Sequence, residues 1–183
     1  MTADAFATAW TCFDVTLEDG VAHIQLKRPE AMNSMIREFW NELPQIVRDI
    51  SDNARARCIV ISSTGKHFSA GMDLAVFGGG GSTSSGGSAD RAVAAENQRH
   101  HVHHLQDCFS CLDEARMPVI VAIQGGCVGG AVDMTSACDI RYASSDGTGS
   151  VSLYQSSGRC FFHRGSLRFH VAISRGMPLG SLK

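Results

Sequence analysis

The chain has 183 residues, 44% of them hydrophobic, and a formal charge of −2 at pH 7. This is enough apolar material for one domain of ordinary size with a real core. No apolar run approaches the ~20 residues that span a bilayer, so no membrane partner is expected. The seven cysteines lie mostly inside apolar segments, which fits a reduced compartment better than a disulfide framework.

The N-terminal stretch Met1 to Trp10 carries Asp4 and no Lys or Arg, which is not the pattern of a transit or secretory peptide. Phe13–Leu17 and Val21–Lys27 read as a hairpin around Glu18, Asp19 and Gly20. Ser34–Ile50 has a helical pattern that Pro44 is expected to split or kink. Arg57–Ser62 is a β-branched strand, and Ala70–Val76 a short helix after a glycine-containing loop. Gly78–Ser88 reads as a flexible connector of glycine and serine. Asp90–Ala115 is a long helix with an apolar stripe of Val102, Leu105, Phe109 and Leu112. Strand Pro118–Gln124, helix Gly129–Ala137 and strand Asp139–Ala143 follow, and the alternation indicates an α/β fold.

The long helix contains a decoy. His100, His101, His103, His104, Cys108 and Cys111 are all potential zinc ligands. At 1.5 Å per residue, His100 and Cys111 stand about 16 Å apart, too far for one helix to wrap them around one ion. No metal is expected.

The chemistry concentrates elsewhere. Strand 118–124 breaks into Gly125, Gly126, Gly129 and Gly130, and Asp133 follows three residues after the last glycine. Glycines let a ligand approach the backbone, and N–H groups opening the next helix can hold developing negative charge. Asp133, one turn into that helix, would stand beside them, which is the layout of an oxyanion site with an adjacent acid/base. A tight turn is the plain alternative for such a run. A dinucleotide fingerprint fails, because Cys127 occupies its second glycine position.

Together with Gly65-Lys-His-Phe-Ser-Ala-Gly-Met-Asp-Leu74, this stretch resembles the crotonase (enoyl-CoA hydratase/isomerase) superfamily. Gly-Gly-Cys-Val-Gly-Gly-Ala-Val-Asp-Met and Ser-Ala-Cys-Asp-Ile-Arg-Tyr are most similar to its dienoyl-CoA isomerase branch, and Arg28-Pro-Glu-Ala-Met-Asn33 matches the family's early loop. The resemblance runs from about Val15 to Ser145. It implies a crotonase-like spiral of ββα units, an acyl-CoA substrate, and no cofactor beyond the coenzyme A thioester itself. It also implies a homo-oligomer (trimer or hexamer) and a mitochondrial or peroxisomal matrix location. The residues it assigns are Ala70 and Gly130 as the two oxyanion N–H donors and Asp133 as acid/base. Ala31, Ser69, Gly71, Met72, Asp73, Leu74, Gly126 and Gly129 would line the substrate. Asp139 is expected to be a structural hydrogen-bonding residue.

The chain changes character near Gly147. All 18 acidic residues lie at or before Asp146 against 11 basic ones, a balance of −7, and the remainder is Ser-rich with a balance of +5. Residues 1–146 are thus expected to form the acyl-CoA-binding core, with 147–183 an irregular or non-homologous tail, leaving the spiral incomplete at its C-terminus. By the family's spacing, a Glu and an Asp should stand twenty and twenty-eight residues after Asp133, and those positions hold Leu153 and Phe161. The family's C-terminal helices, which build its oligomer interface, have no counterpart. The oxyanion half of the site is expected to be intact and the proton-shuttling half impaired. An altered reading frame or splice near Asp146 is the first explanation, a non-catalytic acyl-CoA-binding protein the second, and an RNA-binding tail the weakest. Hydratase rather than isomerase chemistry also stays open. Ser181-Leu182-Lys183 is the peroxisomal signal in the wrong order and carries no weight.

Overall fold

The computed structural model describes residues 4–78 and 88–144, together with short strands at 153–154 and 171–174. Strands β1 (Phe13–Glu18) and β2 (Val21–Leu26) form the expected antiparallel hairpin, with Phe13 opposite Leu26. Strands β3 (Cys58–Ser63), β4 (Val119–Ile123), β6 (Ile140–Ser144) and β8 (Val171–Ser174) add to it in parallel, in the order β1-β2-β3-β4-β6-β8. A second, two-stranded parallel sheet joins β5 (Cys127–Val128) to β7 (Leu153–Tyr154). The Ser-rich tail, expected to be irregular, thus contributes two short strands. Val171-Ala-Ile-Ser174 is β-branched enough to suit a sheet edge.

The period-2 pattern of β2 sets which of its residues enter the core. Ala22, Ile24 and Leu26 alternate with half-buried residues, and Ile24 pairs with Ile61, which pairs with Val121. That face forms one cluster with helices α1 (Arg37–Asp52) and α3 (Ser88–Asp113). Rings of Phe13, Phe39, Trp40 and Phe109 run in contact from β1 across α1 to α3, with centroids 5.1, 5.7 and 5.2 Å apart.

Two helix starts and the expected break at Pro44 differ from the sequence expectation. Helix α1 starts at Arg37 rather than Ser34, because Met35 pairs as an isolated bridge with Met72 and cannot also enter the helix. Pro44 does not split α1. Its cost in a helix interior is about 3 kcal/mol, less than burying Phe39, Leu43, Ile46, Val47 and Ile50 returns at about 1.5–3 kcal/mol each. Helix α2 (Leu74–Gly78) begins four residues later than expected, since the backbone of residues 69–73 is hydrogen-bonded to neighbouring segments instead. The apolar stripe on α3 is as expected, with Leu105, Phe109 and Leu112 buried and Val102 half-buried. The interior of the glycine-serine connector lies outside the described residues. Among the described residues no helix is long and apolar enough to cross a membrane, and no group of three or more His, Cys, Asp or Glu could hold a metal ion.

Candidate functional site

The segment Phe68–Asp73 is gripped on both sides. On one side, the Phe68 and Ser69 N–H groups donate to the Gly126 carbonyl at 2.9 and 3.3 Å, and Val128 N–H donates to Ser69 O at 3.1 Å. On the other, Ala70 N–H donates to Met32 O (2.9 Å), Met35 N–H to Gly71 O (2.8 Å) and Asp73 N–H to Met35 O (3.1 Å). The early loop, the Phe-Ser-Ala-Gly loop and the glycine-rich turn therefore form a three-segment ladder. Gly71 makes this possible. Its φ of +84° suits glycine, and a Cβ there would overlap the Val128 carbonyl and stand 3.1 Å from Gly130 N.

This pairing relocates one expected donor. The Ala70 N–H already serves Met32 O, so it is not available to a ligand. Met72 N–H lies two residues on. Because Gly71 O and Asp73 N–H both face Met35, Met72 N–H faces the opposite way, and it has no acceptor among the described residues. A Cβ on Gly130 would lie 3.8 Å from Met72 N. Gly130 opens helix α4 (Gly130–Ser136), and its own N–H also finds no acceptor among the described residues. The N–H groups of Met72 and Gly130, both without an acceptor among the described residues, thus come close together here.

Buried polar side chains hold the arrangement. Ser69, fully buried, donates its hydroxyl to Asn33 O (2.8 Å) and accepts from Gly71 N–H (3.0 Å). Asn33 accepts from Arg28 N–H (2.9 Å) and donates to Thr64 O (2.8 Å) and His67 O (3.4 Å). His67 Nδ1 accepts from Gly126 N–H at 3.0 Å, which sets the glycine turn. Asp73 is a capping and clasping residue: it accepts from Ala75 N–H (2.9 Å) and Ser34 Oγ (3.0 Å). The Ala75 N–H, then Ser34 and the Arg28 charge, hold its carboxyl below the ordinary 3.8.

Asp133 is buried at 8% exposure on the first turn of α4, three residues after Gly130, and is engaged within the fold. Burial pushes the neighbouring Cys127 thiol up to about 12; Thr135 lowers it slightly and the Asp133 charge raises it. The other end of α4 is closed by Arg141, buried, whose Nη1 donates to the carbonyls of Thr135 (3.0 Å), Ser136 (3.5 Å) and Cys138. Gly129, with φ +58°, is the N-cap residue of α4. Asp139 accepts from Val119 N–H at 2.8 Å, as the structural residue it was expected to be. Ala31 ends a 3-10 turn (Pro29–Ala31) and is half-buried beside the ladder.

Three apolar side chains on or next to the three paired segments stay open: Met32 at 56%, Leu74 at 82% and Val128 at 39% exposure. The arrangement offers two converging N–H groups, a buried carboxylate nearby and apolar surface around them. That is suited to a carbonyl oxygen at the end of an apolar chain. Asn33, His67, Met35 and Arg141 were not singled out in the sequence. A charge inside the apolar strand 139–143 was the visible signal for Arg141, whereas nothing local marked the others.

Residues 16–153 match the Enoyl-CoA hydratase/isomerase family. The chain is 42% identical over 126 residues to the mitochondrial Delta(3,5)-Delta(2,4)-dienoyl-CoA isomerase of Mus musculus, covering 69% of this chain and 38% of that protein. It is 35% identical over 129 residues to the peroxisomal enzyme of the same name in Arabidopsis thaliana, covering 70% of this chain and 46% of that one. A putative enoyl-CoA hydratase from Thermobifida fusca, solved in complex with acetoacetyl-CoA, superposes with a TM-score of 0.59 at 29% identity, over 73% of this chain and 51% of that one. The chain therefore spans about half or less of the length of these relatives. Its ββα order, with β1-β2-α1 and β4-β5-α4, is the crotonase-like fold the motifs implied. On the match across residues 16–153 and these relatives, the chain belongs to the enoyl-CoA hydratase/isomerase family.

Proposed function

We propose that this chain binds an acyl-CoA thioester whose carbonyl oxygen accepts from Met72 N–H and Gly130 N–H, and that its chemistry is that of a dienoyl-CoA isomerase. The observation that carries the reading is the convergence of these two N–H groups, neither of which has an acceptor among the described residues, with Asp133 one turn beyond the second. Removing a proton from the carbon next to a thioester builds negative charge on the carbonyl oxygen. Each fixed donor at that oxygen is worth roughly 3–4 kcal/mol of barrier. In a 3,5-dienoyl-CoA the proton leaves the carbon beside the thioester and one is delivered to the far end of the diene. The double bonds thereby slide into conjugation with the carbonyl. Asp133 takes one of these two proton transfers and water the other, so that the proton lost beside the thioester is balanced by the one gained at the far end of the diene. The relatives' names place such enzymes in mitochondria and peroxisomes, and one of these matrices is the compartment we assign.

A second reading, a binder without turnover, rests on the register of β7. Leu153, at the position where the family spacing expects Glu, pairs with Cys127 beside the glycine turn. Incubation with 3,5-octadienoyl-CoA separates the two readings. Accumulation of the 2,4-dienoyl product, abolished by Asp133→Asn, supports the isomerase. A rise in the unfolding midpoint with octanoyl-CoA and no product supports the binder. No response to either ligand would sink both.

A further inference from the structure

Met35 contacts both halves of the donor pair. Its backbone brackets the first: Met35 N–H donates to Gly71 O at 2.8 Å and Met35 O accepts from Asp73 N–H at 3.1 Å, so the residue between them, Met72, has its N–H turned toward α4. Its side chain supports the second, with the sulfur 3.3 Å from the place a Cβ on Gly130 would occupy. Trp40 braces the same point. Its indole N–H donates to Met35 O at 3.3 Å, and its ring edge lies 3.8 Å from that Cβ position. Both side chains are buried, Met35 completely. At 0% and 2% exposure, neither side chain offers a ligand more than a sliver of surface.

We infer that Met35, braced by Trp40, is a positioning residue that sets the spacing and direction of the Met72 and Gly130 N–H groups. A donor displaced by a fraction of an ångström loses much of its effect on a developing oxyanion, while ligand binding through the rest of the molecule is little affected. Met35 therefore governs polarisation of the bound carbonyl rather than affinity. This inference rests on the thioester reading above.

The test uses the full chain and cinnamoyl-CoA, whose conjugated carbonyl absorbs further to the red when its oxygen accepts strong hydrogen bonds. Met35→Val leaves the backbone pairing in place and removes the sulfur from beneath Gly130. Met35→Leu refills most of that space. Trp40→Phe removes the N–H bond to Met35 O. The expected result is a red shift on binding in the parent chain, reduced by half or more in Met35→Val and Trp40→Phe, and restored in Met35→Leu. Affinity for free CoA should stay within twofold throughout. A full red shift in a cooperatively folded Met35→Val or Trp40→Phe chain would overturn the inference and leave the thioester reading standing. Absence of any shift in the parent chain would overturn the thioester reading, and the inference with it. If Met35→Val fails to unfold cooperatively, Trp40→Phe alone decides, because it leaves the Met35 side chain in place.

Discussion

A methyl group on Gly71 would stand 3.1 Å from the backbone nitrogen of Gly130. These two glycines lie 59 positions apart in the chain and bring the Phe-Ser-Ala-Gly loop against the opening of α4. Their approach is why two N–H groups converge. Gly71→Ala should therefore act twice: a left-handed φ of +84° costs alanine about 1–2 kcal/mol, and its Cβ would overlap the Val128 carbonyl. The expected outcome is a lower unfolding midpoint together with loss of the octanoyl-CoA-induced rise. A variant that still shows the parent's ligand response would mean the two loops need not touch.

Asn33 is the knot of the early loop. It is 2% exposed, sits at φ +50°, and bonds Arg28 N–H, Thr64 O and His67 O. Asn33→Ala leaves those three backbone groups without their partner and puts alanine in a left-handed conformation. A loss on the order of 3 kcal/mol follows, read as a shift in the urea midpoint at constant slope.

Arg141 closes the C-terminal end of the helix whose N-terminus carries the Gly130 donor. Arg141→Met keeps most of the volume and removes the charged donor from the Thr135, Ser136 and Cys138 carbonyls. Charged hydrogen bonds of this kind are worth about 1.5–3 kcal/mol each. Stability should fall by roughly 2–4 kcal/mol, and the amides of α4 should exchange with solvent faster than those of β3.

His23, half-buried on β2 with its Nε2 2.7 Å from Ser62 Oγ, gives a pH signature. Burial holds its pKa below the ordinary 6.5. As pH falls, the unfolded chain therefore binds a proton first. The contribution of His23 to stability is complete above 6.5, declines as pH drops through it, and levels off below the folded-state value. Unfolding midpoints at about pH 7.5 and about pH 5.5 should differ less in His23→Gln than in the parent chain. An unchanged difference would assign the effect to other groups.

The strands were legible because their apolar residues alternate, as in Val21–Leu26, or run uninterrupted, as in Val119–Ile123. Helix α3 was legible from Leu105, Phe109 and Leu112. What escaped was set by tertiary pairing. Met35 and residues 69–73 have local patterns compatible with helix, but a ladder between segments distant in the chain takes their backbone groups. The same ladder occupies Ala70 N–H and turns Met72 N–H away from Met35, a fact that no motif spacing contains. Glycines at 71 and 130 and the carboxylate at 133 were visible as residues, whereas which amides remain unpaired depends on who pairs with whom.

The most direct measurement follows the amide resonances of Met72 and Gly130 in isotope-labelled protein during titration with two ligands. One is octanoyl-CoA. The other is S-octyl-CoA, the thioether that lacks the carbonyl oxygen. Both amides should move strongly downfield with the thioester and far less with the thioether. Equal responses to the two ligands, or a thioester response at Ala70 instead of Met72, would contradict the account.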